Sequence, residues 1–324
     1  MTSDVAKRGW LDVAEVGSVW GIRFLVGLCM LFGRNVARAF LRGVVFYYVL
    51  FHAGARAASR SYFRRLSSPQ IPAGDALVAP VPPAVGVPAA EATFGMVYRH
   101  FCTFAEVALD RVLIAAGKRA LFEVTSHGRE HLSQLARDKR GALLLGAHLG
   151  SFEAMRLGAR SQSYPINMVV NFSNAQRIQS VLDKLDPEAS TRFISVAGPP
   201  LDFVLKIREC IERGEMVAIL ADRVGLDTRT VEANFLGAPA RFAAGPFILA
   251  AALHCPVYLT FGIYRGGTQY DLYCEHFADS IDLPRKQRDV ALSQVVQRYA
   301  DRLEAFARLA PYNWFNFYDF WGKS

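Results

Sequence analysis

The sequence predicts an α/β domain with a mixed, mainly parallel central sheet flanked by helices, preceded by membrane-associated helices at its N-terminal end. Three observations carry that reading. From residue 93 onward, short apolar runs alternate with amphipathic ones, the pattern of strands covered by helices. A proline-dense stretch separates that region from what precedes it. The preceding segment is both apolar and basic. With 324 residues, of which 52% are hydrophobic, and a mean hydropathy of +0.16, the chain can bury one large core and is greasier than most freely soluble domains.

Residues 1–66 hold ten Lys/Arg against Asp4, Asp12 and Glu15, so seven of the eight net positive charges lie there. Two apolar runs, 24–33 and 43–51, enclose Arg34, Arg38 and Arg42; Arg56, Arg60 and Arg64 follow at the same spacing of four. That spacing stacks each trio on one side of a helix. No apolar run reaches the eighteen or more residues of a plain spanning helix. An arginine at the bilayer centre costs about 2.5–3.5 kcal/mol. The segment therefore reads as helices lying in the interface of an anionic membrane, or a shallow hairpin; the other reading is a basic face packed on the domain. Nucleic acid is not expected, since the remaining chain is nearly neutral. Asp4, Asp12 and Glu15 argue against a cleavable signal. Residues 67–92, with Pro69, Pro72, Pro80, Pro82, Pro83 and Pro88, read as an extended linker. The α/β domain is expected over 93–324.

Within that domain a helix is predicted over 93–117, ending at Gly117. Strands are expected at 120–125, 141–147, 166–171, 191–196, 216–221, 256–262 and 268–275. Helices are expected at 130–137, 151–160, 173–185, 200–213, 243–253 and 285–309. The five cysteines, Cys29, Cys102, Cys210, Cys255 and Cys274, are scattered and odd in number, which fits a reducing compartment better than disulfides.

In such sheets chemistry gathers beyond the carboxyl ends of strands. There GALLLGAHLGSFEAMR (141–156) runs from a buried-type strand into His148, turns at Gly150, and starts a helix capped by Ser151 with Glu153 in its first turn. On one continuous helix, residues five apart point about 140° away from each other. With His148 on the turn instead, its ring can fold back on the Glu153 carboxylate. A carboxylate on one ring nitrogen fixes the tautomer, making His148 a general base for a hydroxyl nucleophile. The bland reading is a histidine that merely packs at a strand end. His127-Gly128-Arg129-Glu130-His131 matches the inverted zinc-protease pattern H-x-x-E-H. Gly128 puts His127 in a turn, however, and no third ligand stands at a recognisable spacing, so no metal is expected. Nucleotide-binding glycine motifs are missing and no cofactor is expected. Gly245-Pro246 reads as a helix start. The aromatic segment 312–321 suits a bilayer interface, an acyl-pocket wall or a final core strand.

The block GALLLGAHLGSFE resembles the first block of the late acyltransferases of lipid A biosynthesis, within the lysophospholipid-acyltransferase superfamily, whose dyad H-x4-D/E is matched by His148 and Glu153. VAILADRVGLDTRTVEANFLGAPARFAAGPFILAAALHCPVYLTF (217–261) is similar to the family's later block, with Asp222 at its acidic turn. The resemblance implies a glycerolipid-acyltransferase-like fold at the cytoplasmic face of the bacterial inner membrane. It also implies an acyl carrier protein or coenzyme A thioester as donor and a lipid hydroxyl as acceptor. Asp222, Arg223, Arg241 and Asn171 are the substrate-binding candidates, the arginines because a guanidinium suits phosphate. The chain departs from the family at Arg223, in the segment VVNFSNAQRIQSVL, and in its aromatic C-terminal end. A hydrolase using the same base, or a non-catalytic lipid-binding relative, are the alternatives.

Overall fold

The computed structural model describes residues 19–67, 92–161, 164–170, 192–196, 200–224 and 229–322. The proline-rich stretch (68–91), Asn171 and the helix expected at 173–185 lie outside them.

Three helices open the described chain: α1 (Val19–Phe32), α2 (Arg34–Phe51) and α3 (Ala53–Leu66). Gly33, at φ +83°, breaks α1 from α2, a conformation that favours glycine. Between α2 and α3 the axis bends by 94°. Arg56 stabilises that bend by donating to the carbonyls of Val49 and Leu50, which the ending helix leaves without amide partners. Among the described residues no single helix is long and apolar enough to cross a membrane, although α2 and α3 together pass that test as a bent pair.

The Arg34, Arg38 and Arg42 trio does share one helix side, and that side faces the protein. Helix α4 (Phe94–Ala115) carries Asp110, which accepts from Arg34 Nε and Nη2 at 2.7 and 2.8 Å, and Glu106, which accepts from Arg38 Nη2 at 2.8 Å. Tyr270 and Tyr264 donate to the same two carboxylates, each at 2.7 Å. Arg34 and Arg38 are thus tied inward to buried acids, whereas Arg42 is 58% exposed and 3.8 Å from Glu106. Helices α1 and α2 turn apolar side chains outward, Leu31 of α1 being 80% exposed, Phe51 67% and Tyr47 62%. Helix α3 is anchored differently. Its Tyr62 and Phe63 are fully buried in the main core, each contributing about 1.5–3 kcal/mol by burial.

The sheet contains β1 (Glu123–His127), β2 (Ala142–Gly146), β3 (Ile166–Val170), β4 (Phe193–Ser195), β5 (Met216–Leu220), β8 (Val257–Gly266) and β9 (Gln269–Ala278), in the order β1-β9-β8-β2-β5-β3-β4. Strands β8, β2, β5, β3 and β4 are mutually parallel; only the β8–β9 pair is antiparallel. The central strand β2 is buried on both faces, as a parallel strand between two helical layers should be. Its Leu143 and Leu145 enter one core and Ala142 and Leu144 the other. Helices α5 (Arg129–Arg137), α6 (Phe152–Ser161), α7 (Pro200–Glu212), α8 (Gly245–Leu253) and α9 (Arg288–Leu309) complete the layers. Pro246 opens α8. His127 ends β1 and stacks on Tyr273, while His131 lies in α5 beyond the left-handed Gly128.

One element the periodicity did not indicate is the hairpin β6 (Thr230–Phe235) and β7 (Ala238–Ala243). Its tight turn is Leu236-Gly237, both at positive φ. Phe235 and Phe242 project from it into the main core.

The aromatic C-terminal segment docks into the domain. Trp314 is fully buried, bridges to Leu149 in antiparallel fashion, and packs on Tyr62, Phe235 and Phe320. Asn313 stitches the segment to β8 through both backbone groups of Tyr264. The segment is thus packed on the core as expected of a closing piece, but it forms no strand beyond the single Trp314–Leu149 bridge.

Candidate functional site

Strands β2 and β5 are paired in register, Gly146 opposite Leu220, and Ala221 donates to the Gly146 carbonyl at 3.0 Å. Two parallel neighbours that end level deliver their next residues side by side. His148 and Asp222 are each two residues beyond that last pair. Tyr299 of α9 donates to the same Gly146 carbonyl at 2.8 Å, tying the strand end to the helical layer behind it.

After His148 the chain reverses within three residues. Gly150 takes φ +74°, and a Cβ there would lie 1.8 Å from the Gly262 carbonyl oxygen, so only glycine fits this approach. Ser151 then caps α6, accepting the Ala154 amide at 3.1 Å as its sequence position suggested.

The His148 ring meets a carboxylate, and that carboxylate is Asp222. Nδ1 lies 2.8 Å from Asp222 Oδ1, and the His148 backbone amide donates to Oδ2 at 3.0 Å. This corrects the expected pairing with Glu153. Glu153 lies in the first turn of α6, on the side toward α4, where Arg111 reaches it at 3.3 Å and Arg156 at 2.8 Å. The Arg156 contact is an ion pair without hydrogen-bond alignment. The turn at Gly150 carries the helix away from the imidazole, whereas strand pairing fixes Asp222 beside it.

The electrostatics follow from this arrangement. A carboxylate oxygen can only accept, so Nδ1 carries the proton and the lone pair sits on Nε2. Nε2 has no hydrogen-bond partner among the described residues, and the side chain is 30% exposed. Burial, helped by the charge of Arg223, holds the imidazole below its ordinary pKa despite the pull of Asp222. Burial works to raise the Asp222 carboxyl, but the facing His148 and Arg223 outweigh it and keep it below the usual carboxylate value. The pair is therefore neutral imidazole and carboxylate near pH 7: a base with an open nitrogen.

Arg223 is the cation at this site. It donates to the Phe315 carbonyl at 2.8 Å and lies over the Tyr318 ring. Arg241 sits elsewhere. It is on the exposed face of β7, opposite Glu232 across the hairpin, and makes no hydrogen bond or ion pair with His148 or Asp222. Trp314 was not singled out as a site residue by the sequence. Its indole Nε1 donates to Asp222 Oδ2 at 3.1 Å.

Beside α6 a cavity of about 440 Å³ opens between α5, α6 and the sheet, within the range of small-ligand sites. Leu132, Leu144, Phe152, Met155, Met168 and Leu272 give it an apolar wall, and Arg129, Arg156 and Arg160 also line it.

The cavity adjoins α6 and is lined by none of His148, Asp222 or Arg223. No curated protein matches the chain in sequence. Residues 91–323 match the family model of bacterial lipid A biosynthesis acyltransferases, and the chain belongs to that family.

Proposed function

We propose that this acyltransferase moves a fatty acyl group from an acyl carrier protein or coenzyme A thioester to the hydroxyl of a lipid, working at the cytoplasmic face of the inner membrane with His148 as general base. Nε2 removes the hydroxyl proton as the oxygen bonds to the thioester carbonyl carbon. The tetrahedral adduct then expels the thiolate, which takes the proton back from the imidazolium. Asp222 holds the productive tautomer and stabilises the imidazolium. The observation that carries this reading is the 2.8 Å contact between Nδ1 and Asp222 with Nε2 on the open side.

The acyl chain is assigned to the apolar cavity under α6. Arg223 supplies positive charge beside the acceptor, and Arg241 and Asn171 are proposed to hold polar parts of it. Glu153 orders Arg111 and Arg156 beside α6. Membrane seating is assigned to the outward apolar side chains of α1 and α2, while Arg34 and Arg38 of α2 are committed inward.

The test is thiol release from dodecanoyl-coenzyme A or the corresponding carrier-protein thioester, with lipid products read by mass spectrometry. Wild type should release thiol and form an acylated lipid in step, and His148→Ala should abolish both. Free fatty acid with no acylated lipid would make the chain a hydrolase, and full turnover by His148→Ala would remove the base from the mechanism.

A further inference from the structure

Asp222 is 1% exposed, and a carboxylate so buried keeps its charge and orientation only through its donors. Three are present: His148 Nδ1, the His148 amide and the Trp314 indole N–H. The first two belong to the residue being positioned. Trp314 is the independent one, and it is rigidly placed. Its ring is wedged among Tyr62, Phe235 and Phe320 at centroid distances of 5.2, 5.1 and 4.9 Å. Its carbonyl accepts from His100 Nε2 at 2.8 Å, and His100 Nδ1 in turn meets Ser59 Oγ at 3.0 Å. Burial holds that imidazole down to about 4, so it stays neutral and keeps this donor arrangement across the working pH range.

The backbone on either side of Trp314 grips the other half of the site. Phe315 donates its amide to the His148 carbonyl at 2.9 Å, and the Gly150 amide donates to the Asn313 carbonyl at 2.8 Å. One short segment therefore fixes both the turn that carries the base and the carboxylate behind it.

We propose that Trp314 is a positioning residue for the His148–Asp222 pair, acting through its indole N–H on Asp222 Oδ2 and tuning the basicity of His148. The inference rests on the base reading above. A donor on Oδ2 draws negative charge away from Oδ1. Without it the carboxylate stabilises the imidazolium more strongly, so the imidazole pKa moves up while the carboxylate loses its fixed direction. A side chain that merely filled the core would produce no such shift.

The test uses the full-length chain in phospholipid–detergent micelles, with Trp314 replaced by benzothienylalanine. That residue keeps the bicyclic shape and lacks the N–H. Trp314→Phe serves as a second variant. Two quantities are read between about pH 5 and 9: thiol release from dodecanoyl-coenzyme A with a hydroxyl-bearing lipid, and the His148 titration by carbon-13 histidine NMR, assigned by its loss in His148→Ala. The isostere should raise the His148 midpoint by about half a unit to one unit and lower plateau turnover ~10-fold. An unchanged or lowered midpoint overturns the proposal, whether turnover falls or not, because packing alone would then account for Trp314. If His148→Ala retains turnover, the base reading fails instead. If His148→Ala is inactive and the isostere behaves as wild type, only the role of Trp314 fails.

Discussion

Gly146 and Leu220 face each other as the last paired residues of β2 and β5, and this places His148 and Asp222, each two residues on, within 2.8 Å. The site is a consequence of strand register. A slip of one residue in that pairing would turn one of the two groups to the opposite face of the sheet.

Asp222→Asn tests what the carboxylate contributes. An amide presenting its NH₂ to Nδ1 drives the proton to Nε2 and removes the base, so turnover should fall by about 10³–10⁴-fold. Steady-state thiol release measures it, with a thermal melt to show that the chain still folds. Retention of more than a tenth of wild-type turnover would contradict the assignment.

The pH profile follows from the lowered imidazole pKa. The base works only when deprotonated, so kcat/KM should climb with pH through a midpoint below 6.5, the ordinary histidine value, and be level by neutrality. An ascending limb centred above pH 7 would mean that the titrating group is another residue, or that the burial of His148 is relieved in solution.

Glu153→Gln separates the two acidic residues of the site. Its carboxylate neutralises Arg111 and Arg156, so its loss should lower stability by about 1–3 kcal/mol, with the half-exposed Arg111 contributing least. Turnover should drop less than in Asp222→Asn, and the midpoint of the pH profile should not move. Denaturant melts and pH profiles of the two variants side by side decide the matter.

The inward arginines make the membrane prediction specific. Replacing Leu31, Phe40 and Phe51 with aspartate removes apolar outward positions without touching the ion pairs of α2 with α4. Sedimentation with anionic vesicles should show the triple variant left in the supernatant with an unaltered melt. Asp110→Ala is the converse. It leaves Arg34 without its buried partner, and the fold should lose about 3–5 kcal/mol.

Cavity length should set acyl preference. Leu132→Trp from α5 narrows the space under α6, and each methylene that no longer fits forfeits about 0.8 kcal/mol, roughly fourfold. Competition between dodecanoyl and decanoyl thioesters should shift toward the shorter chain. An unchanged ratio would place the acyl group elsewhere.

Much of this architecture was legible in the sequence, for identifiable reasons. Strand β2, buried on both faces, reads as an unbroken apolar run, and Ser151 and Gly117 mark helix boundaries by backbone chemistry that depends on one or two residues. His148 was legible because strand end, turn glycine and helix cap are contiguous. Its partner was not. Asp222 stands 74 positions away, and which strand lies beside β2 is decided by global topology rather than local pattern. The hairpin β6–β7 escaped because Leu236-Gly237 is an unusual turn pair and Pro239 interrupts the alternation. The arginine trio was read as one helix face with two readings open, and for Arg34 and Arg38 the packed one holds: Asp110 and Glu106 sit on α4, and nothing local to α2 reveals them.

The most direct measurement is the His148 titration by NMR in Asp222→Asn and Glu153→Gln. Loss of the contacting carboxylate should lower the imidazole midpoint by about one unit or more in Asp222→Asn, and Glu153→Gln should titrate as wild type. If the midpoint falls in Glu153→Gln and holds in Asp222→Asn, the carboxylate behind the base is the wrong one and the account is refuted.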